Sequence, residues 1–467
     1  MSERYDLVVI GSGPAGEKGA AQAAYFGKRV ALVEKAEVLG GAAANTGTLP
    51  SKTLRETALH LTGFRHRRLY GLDVQLRREV DAQQFLARAR IVAERERERI
   101  EHNLARHDVA LIKGAARFLD AHTLEIGHPG EPPRRVEGEV FLIATGSTPF
   151  RPPFLPFADG RIFDSDTILG IERLPHVLLV AGGGVIGSEY ACMFAALDIQ
   201  VHLVEGRDRL LGFMDGQVSD ILAQSMRDLG VDLVLGDRID EVSAGERLRV
   251  ALGSGRELLV DAVLAATGRT GNSAGLELEE IGVDLGRRGA IKVDPHYRTS
   301  LPHIYAVGDV IGFPALASTS MEQARVAMVH AFDLKYKTAL AHILPYGIYT
   351  IPECSMAGET EESLAAKGVD YVAGVARYAE NARGQIIGDE SGFLKLLFET
   401  QEMTLLGVHV IGEQASELVH VGLTALLMQA TADLFIQTCY NYPTLSEVYK
   451  YATYDALGAR ARKLGTS

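Results

Sequence analysis

At 467 residues with a formal net charge of −12, the chain exceeds what one hydrophobic core serves and calls for about three domains of about 150 residues each. The acidic balance speaks against a nucleic-acid partner, whose phosphates recruit basic patches, and no run approaches the roughly 20 apolar residues of a membrane helix. Cys192, Cys354 and Cys439 are scattered, with neither a disulfide framework nor metal-ligand spacing, so each reads as a small buried hydrophobe, no metal is expected, and a cytoplasmic, reducing location is.

The opening Met-Ser-Glu-Arg-Tyr-Asp lacks the charged-then-apolar build of a signal peptide and leads into an apolar run of strand type, residues 5–10. Gly11-Ser12-Gly13-Pro14-Ala15-Gly16 follows, then an alanine-rich helical stretch, 17–27. Glycines in this pattern supply a tight turn, room for a pyrophosphate and close helix–strand packing, while the helix N-terminus offers free N–H groups to a diphosphate. A second strand, 29–33, ends in Glu34, about 20 residues on, where a carboxylate binds a ribose hydroxyl. Residues 40–52 then read Gly-Gly-Ala-Ala-Ala-Asn-Thr-Gly-Thr-Leu-Pro-Ser-Lys.

Past residue 52 the chain turns helical, and 82–106 carry Arg95-Glu96-Arg97-Glu98-Arg99. Spacings of three and four allow ion pairs of a few tenths of a kcal/mol, and we read a solvated helix face rather than a basic contact surface. Residues 109–114 and 140–144 are strand-like, the latter closing on Thr145-Gly146-Ser147, and Pro149, Pro152, Pro153 and Pro156 mark a linker.

From His176 the pattern of residues 5–16 repeats: an apolar run 177–180, Gly182-Gly183-Gly184-Val185-Ile186-Gly187, a helix bearing Glu189, a strand 200–204 and a terminal Glu205. Two full fingerprints are far more specific than one and imply two bound dinucleotides. Glu205 favours the ribose hydroxyls of NAD(H) and repels a 2′-phosphate. Arg207 and Arg209 follow, and guanidinium pairs well with phosphate, so we expect a site that prefers NAD(H) and admits NADP(H), the alternative being arginines that simply face water. Further on come Val263–Arg269 with Gly268, a strand ending in Asp309, and Phe313-Pro314-Ala315-Leu316-Ala317-Ser318 opening a helix to about 331. Residues 345–467 hold no further fingerprint. Alternating runs at 393–398 and 405–410, followed by helices, suggest an antiparallel sheet with helical cover. Asn441-Tyr442-Pro443-Thr444-Leu445-Ser446-Glu447 lies near the end.

Over nearly the whole chain these motifs resemble the flavoprotein disulfide reductases, the family of lipoamide dehydrogenase and glutathione reductase. The resemblance implies an α/β chain with two Rossmann-like dinucleotide-binding domains plus a C-terminal α+β dimerisation domain: FAD-binding at 1–148 and 270–344, NAD(P)-binding at 149–269, and homodimerisation at 345–467. It places FAD against Gly11, Gly13, Gly16, Glu34, Gly40, Gly41, Lys52, Ala116, Thr145, Gly146, Ser147, Asp309, Ala315, Leu316, Ala317 and Ser318. It places the nicotinamide nucleotide against Gly182, Gly184, Gly187, Glu189, Glu205, Arg207, Arg209 and Gly268. Lys52 would sit beside the flavin N5, paired with Glu189, and Asp309 would bond the ribityl chain. The helix opening at 315–318 would aim its partial positive charge at the flavin N1–O2 edge. Tyr442 and Glu447 would reach the partner's active site.

Two departures narrow the chemistry. In the family, segment 40–52 carries two cysteines five positions apart; here they are Ala43 and Thr48, so no thiol relay exists. The family's acid/base histidine before Pro443 is Tyr442, and a hydroxyl of pKa about 10 cannot replace an imidazole that titrates near neutrality. Disulfide reductase activity is thereby excluded. Residues 47–55, 306–314 and 441–444 look most like the soluble, Si-specific pyridine nucleotide transhydrogenases. The implied activity is ping-pong hydride transfer between NADPH and NAD⁺ through flavin N5, with Lys52, Glu189, Tyr442 and Glu447 as catalytic residues. An NAD(P)H:quinone or dye reductase shares every motif, and a non-catalytic FAD/NAD(H) redox sensor is a third reading, against which intact Lys52 and Glu189 speak.

Overall fold

The computed structural model describes residues 3–62 and 81–465; Met1 and Ser2 of the opening segment, and the last two positions of the C-terminal range, lie outside the described residues. The strand Glu3–Ile10 is apolar through its second half, where Leu7, Val8 and Val9 have no exposure at all. Such a run suits a parallel strand covered on both faces. It sits in a seven-stranded sheet, flanked on one side by Val30–Glu34 and then Ala110–Lys113, all parallel. On its other side lies Arg134–Ile143, a strand of ten residues that serves two further partners. Its first half pairs antiparallel with Thr123–Gly127, and Phe141–Ile143 pairs parallel with Ile304–Ala306. The late segment that ends near Asp309 therefore returns to the sheet begun by residue 3.

The same strand order recurs in a second sheet. Val231–Leu235, Gln200–Glu205, Val177–Ala181 and Ala262–Ala265 stand side by side, all parallel, with Ile162–Asp164 at the edge. The repeat seen in the glycine fingerprints is thus a repeat of whole βαβ units. Each half also carries an antiparallel excursion, Ala115–Asp120 with Thr123–Gly127 in the first and three strands between Ile239 and Val260 in the second.

A third, antiparallel sheet of five strands runs in the order Tyr346–Ile348, Cys354–Gly358, Leu405–Ile411, Phe393–Glu399, Tyr371–Arg377. Its central strands do not alternate in exposure as expected, because both faces are covered. Leu394, Leu396 and Phe398 pack with the helices Ala415–Leu427 and Val448–Leu464, while Phe393 and Ile411 join the core of the second sheet.

The charged helix Ala82–Arg106 corrects the reading of a solvated face. Arg95 and Glu98 are exposed, but Arg99 forks onto Glu17 at 3.1 and 3.2 Å and Arg97 donates to Asn45 Oδ1 at 2.8 Å. Burial works against the Glu17 carboxylate, yet Arg99 and Lys18 outweigh it and hold its pKa below the usual range. Two of the arginines therefore tie this helix to the first fingerprint helix and to segment 40–52.

The third sheet is locked to the second βαβ half by a buried cation. Lys395 Nζ lies 3.0 Å from both oxygens of Asp215 and also contacts Glu361, with lysine and aspartate side chains 3% and 1% exposed. Asp215 in turn caps the helix Gly216–Asp228 through the Gln217 N–H at 3.1 Å. Removing one member of such a pair strands the other charge in a dry site. Lys395→Met is expected to cost about 3–5 kcal/mol, read as a lowered urea midpoint, whereas adding Asp215→Asn is expected to recover part of the loss. A double variant no more stable than Lys395→Met alone contradicts this account.

Candidate active site where the three sheets meet

The two fingerprints share one geometry. Gly11 and Gly182 have φ of +101° and +110°, and a Cβ on either would stand 2.5 or 2.6 Å from the carbonyl oxygen of Ala144 or Ala266. Gly16 and Gly187 let their helices press on that turn, since a Cβ there would meet the oxygen of Gly11 or Gly182 at 1.8 Å. The middle positions behave differently. Gly13 and Gly184 each head a helix with no side-chain cap, so their first N–H groups are left for a ligand. A Cβ on Gly184 would meet nothing within 4 Å, and one on Gly13 would project into the gap before Gly41 at 4.0 Å.

Each strand-end glutamate closes its own loop. Glu34 accepts from Ser12 N–H and Oγ at 2.8 and 2.7 Å and from the Ala36 N–H at 2.8 Å, and Ser12 Oγ accepts from Gly40 N–H at 2.9 Å. Segment 40–52 is thereby tied to the first fingerprint. Ala116 lies on the neighbouring edge, two residues past Gly114, whose N–H donates to the Glu34 carbonyl at 2.9 Å.

Segment 40–52 folds as the short helix Gly41–Asn45 followed by Thr48–Thr62, which brings Lys52 to Glu189 of the helix Val185–Ala196. Lys52 Nζ donates to both carboxylate oxygens at 2.7 and 2.8 Å. Glu189 is almost fully buried and also accepts from the Tyr349 N–H at 2.9 Å, while the Tyr349 ring lies 5.0 Å from the ammonium. Three residues on, buried Arg55 donates to the Thr350 carbonyl at 2.9 Å and pairs with Glu353 at 3.1 Å. All three sheets thus contribute to the surroundings of one lysine. Tyr349 and Glu353 carried no sequence signal, because each acts through contacts far away in the chain.

The two exit corners, where the chain leaves the strands Arg134–Ile143 and Ala262–Ala265, are stapled together. Ser147–Pro149 pairs antiparallel with Arg269–Gly271, Arg269 donates to Ser147 Oγ and O at 2.7 Å each, and Ser147 Oγ donates to Asp309 at 2.9 Å. Asn272 and Thr145 exchange two further bonds at 2.7 and 2.9 Å. Gly308, next to Asp309, donates its N–H to Gln323 of the helix Ala317–Ala331 at 2.8 Å. That helix begins at Ala317 behind Leu316 without a side-chain cap, so Ala315–Ser318 leave free N–H groups at its start. Arg269, Asn272 and Gln323 are site-forming residues that sequence reasoning missed. Asp166 Oδ1 and Tyr190 Oη, the latter next to Glu189, are buried without a protein hydrogen-bond partner, and burial raises the pKa of both groups. The uncapped helix starts behind Gly13 and Leu316, and the gap between Gly13 and Gly41, fit a bound FAD.

The second fingerprint opens on a cavity of about 560 Å³ lined by Gly182, Gly184, Glu205, Arg207 and Gly268, together with Arg238. Glu205 accepts from the Gly183 N–H at 2.6 Å, the Arg207 N–H at 3.0 Å, and the Arg207 guanidinium at 3.0 and 3.1 Å. Burial raises its pKa, but Arg207 and the backbone N–H groups outweigh that and hold it low.

Glu447 closes a capping box on Thr444 at 3.5 Å, and Tyr442 is 76% exposed. Two expectations need correction. Arg209 is not at this cavity but pairs with Asp220 and Glu362, each at 3.5 Å, because the loop turns toward the third sheet. Cys439 is exposed rather than buried, whereas burial pushes the thiols of Cys192 and Cys354 up to about 12.

Residues 5–331 match the pyridine nucleotide-disulphide oxidoreductase family, and residues 344–453 match its dimerisation domain. The chain is 44% identical over 455 residues to the soluble pyridine nucleotide transhydrogenase of Mycobacterium tuberculosis, covering 97% of each. It is 41% identical over 457 residues to that of Chromohalobacter salexigens, covering 97% of this chain and 98% of the relative. Among solved structures it is similar to the flavoprotein disulfide reductase RclA from Escherichia coli, with a TM-score of 0.87 at 27% identity over 96% of this chain and 99% of that one. The chain belongs to the pyridine nucleotide-disulphide oxidoreductases and, within them, to the soluble pyridine nucleotide transhydrogenases.

Proposed function

We propose that the chain is an FAD-dependent NAD(P)⁺ transhydrogenase that moves hydride between NADPH and NAD⁺ without a disulfide relay. The observation that carries this reading is the Lys52–Glu189 pair, kept at 2.7–2.8 Å in a segment whose thiol positions are Ala43 and Thr48. FAD, when bound, supplies a carrier that takes up a hydride and gives it back. Gly11, Gly13, Gly16 and the first helix start would hold its diphosphate, Glu34 its adenosine ribose and Asp309 its ribityl chain. Gly40, Gly41, Thr145, Gly146, Ser147 and the start of the helix Ala317–Ala331 would frame the cofactor.

Glu189 fixes the Lys52 ammonium with two charge-assisted bonds, so its position does not depend on a mobile side chain. One nicotinamide site, at Gly182, Gly184, Gly187, Glu205 and Gly268, would receive each nucleotide in turn. Ordering the reacting groups in a closed cleft supplies much of the rate in such transfers. Residues 344–453 match a dimerisation domain, and Met428, Tyr442 and Tyr451 leave apolar surface on it; these support a homodimer in which Tyr442 meets the neighbouring cleft. A cytoplasmic location belongs to the same proposal. Among the described residues no helix is long and apolar enough to cross a membrane.

Under anaerobic conditions NADPH is expected to bleach the flavin absorbance, and a thio-NAD⁺ acceptor to restore it within a turnover. Restoration by quinone but not by thio-NAD⁺ would replace this reading with a quinone reductase. Glu189→Gln is expected to slow bleaching by about 10- to 100-fold, the equivalent of one charge-assisted bond, with FAD content unchanged. Bleaching at the wild-type rate would remove the pair from the mechanism.

A further inference from the structure

Three aromatic rings, one from each of the three sheets' units, stand in a row. Phe313 stacks on Tyr346 with centroids 6.0 Å apart and planes 14° apart, and Tyr346 meets Phe213 at 5.7 Å and 52°. Both separations lie in the range where aromatic pairs attract. The reaction scheme above uses none of the three. The two outer rings stay open, Phe313 at 78% exposure and Phe213 at 40%.

Each ring hangs from a segment tied to the site. Phe313 stands between Asp309 and the uncapped helix start behind Leu316. Tyr346 opens the edge strand Tyr346–Ile348, and the residue after that strand, Tyr349, gives its N–H to Glu189. Phe213 belongs to the loop after Arg209, where the Leu211 N–H donates to the Gly183 carbonyl of the second fingerprint at 3.2 Å and Leu210, Leu211 and Met214 are buried. The row therefore runs from the flavin frame to the second fingerprint, beside the site that receives the nicotinamide nucleotide.

An oxidised nicotinamide ring carries a positive charge and a reduced one carries none. The face of an aromatic side chain is the negative side of its quadrupole, so it attracts a cationic ring more than a neutral one. Burial raises the Tyr346 pKa, which keeps that ring an uncharged phenol behind Phe313. We propose that the open face of Phe313, backed by Tyr346, is a seat for the cationic nicotinamide ring of NAD⁺ and NADP⁺ at the mouth of the cleft. The inference rests on the transhydrogenase reading, in which every turnover releases one oxidised nucleotide and admits another. Stacked on Phe313, the oxidised nucleotide is held beside the hydride-transfer position, whereas the reduced one gains little there.

Calorimetric titration of the FAD-loaded chain tests the seat with three probes: NAD⁺, ADP-ribose, which lacks the ring, and tetrahydro-NAD, whose ring is uncharged and gives up no hydride. Phe313→Ala is expected to weaken NAD⁺ by about 2- to 5-fold, the equivalent of one exposed cation–π contact. ADP-ribose is expected to bind it unchanged, and tetrahydro-NAD to lose less than NAD⁺ does. Phe313→Leu keeps apolar area without a π face and is expected to weaken NAD⁺ as alanine does, while Phe313→Trp binds it at least as tightly as the unaltered chain. Unchanged NAD⁺ affinity in Phe313→Ala, equal loss of NAD⁺ and either other probe, or full NAD⁺ affinity in Phe313→Leu overturns the proposal. A Phe313→Ala chain that loses its dimer at unchanged NAD⁺ affinity assigns the ring to a second copy and overturns it too. An unaltered chain with the expected probe pattern that passes no hydride from NADPH to thio-NAD⁺ overturns the transhydrogenase reading and leaves the seat standing.

Discussion

One ion pair sets the terms for the rest of the molecule. Lys52 belongs to the segment tied to the first fingerprint, Glu189 to the helix that starts at the second, and their atoms meet at 2.7 Å. The carboxylate is 4% exposed and the lysine 27%, so one end of the pair is dry and the other opens to the cleft. A buried carboxylate must be met by hydrogen bonds or opposite charge, and Glu189 obtains both, from Lys52 and from the Tyr349 N–H of the third sheet. The three sheets cannot shift far against one another without leaving that carboxylate unsatisfied. The buried Lys395–Asp215 contact performs a similar task between the second and third sheets.

Duplication explains much of the remaining architecture. Two parallel sheets with the same inner strand order place two uncapped helix starts at two glycine turns. The exit corners then join through Ser147, Arg269 and Asp309. The uncapped helix starts of the two halves are thus related by the repeat, and the lysine lies where the halves touch.

Most of this was legible in the chain because short-range rules govern it. A glycine fingerprint between strand and helix specifies its own geometry, and the doubled pattern at residues 5–34 and 177–205 appears as two sheets of matching order. What escaped was decided at long range. Arg99 looks like one charge in a solvated run until Glu17, 82 positions away, lies beneath it. Arg209 looks like a partner for a phosphate until Glu362 of the third sheet's domain claims it. Phe393–Phe398 breaks the expected in–out alternation because a second core covers its other face. Cys439 likewise carries nothing in its neighbours that distinguishes it from buried Cys192. In every case the side chain's type was informative and its partner was not.

The central claim is that the flavin is the only redox carrier in the chain. Anaerobic reductive titration with dithionite tests it most directly. The account predicts complete bleaching of the flavin absorbance at one two-electron equivalent per FAD, because Ala43 and Thr48 leave no disulfide to reduce. Uptake of a second two-electron equivalent before bleaching is complete would contradict it.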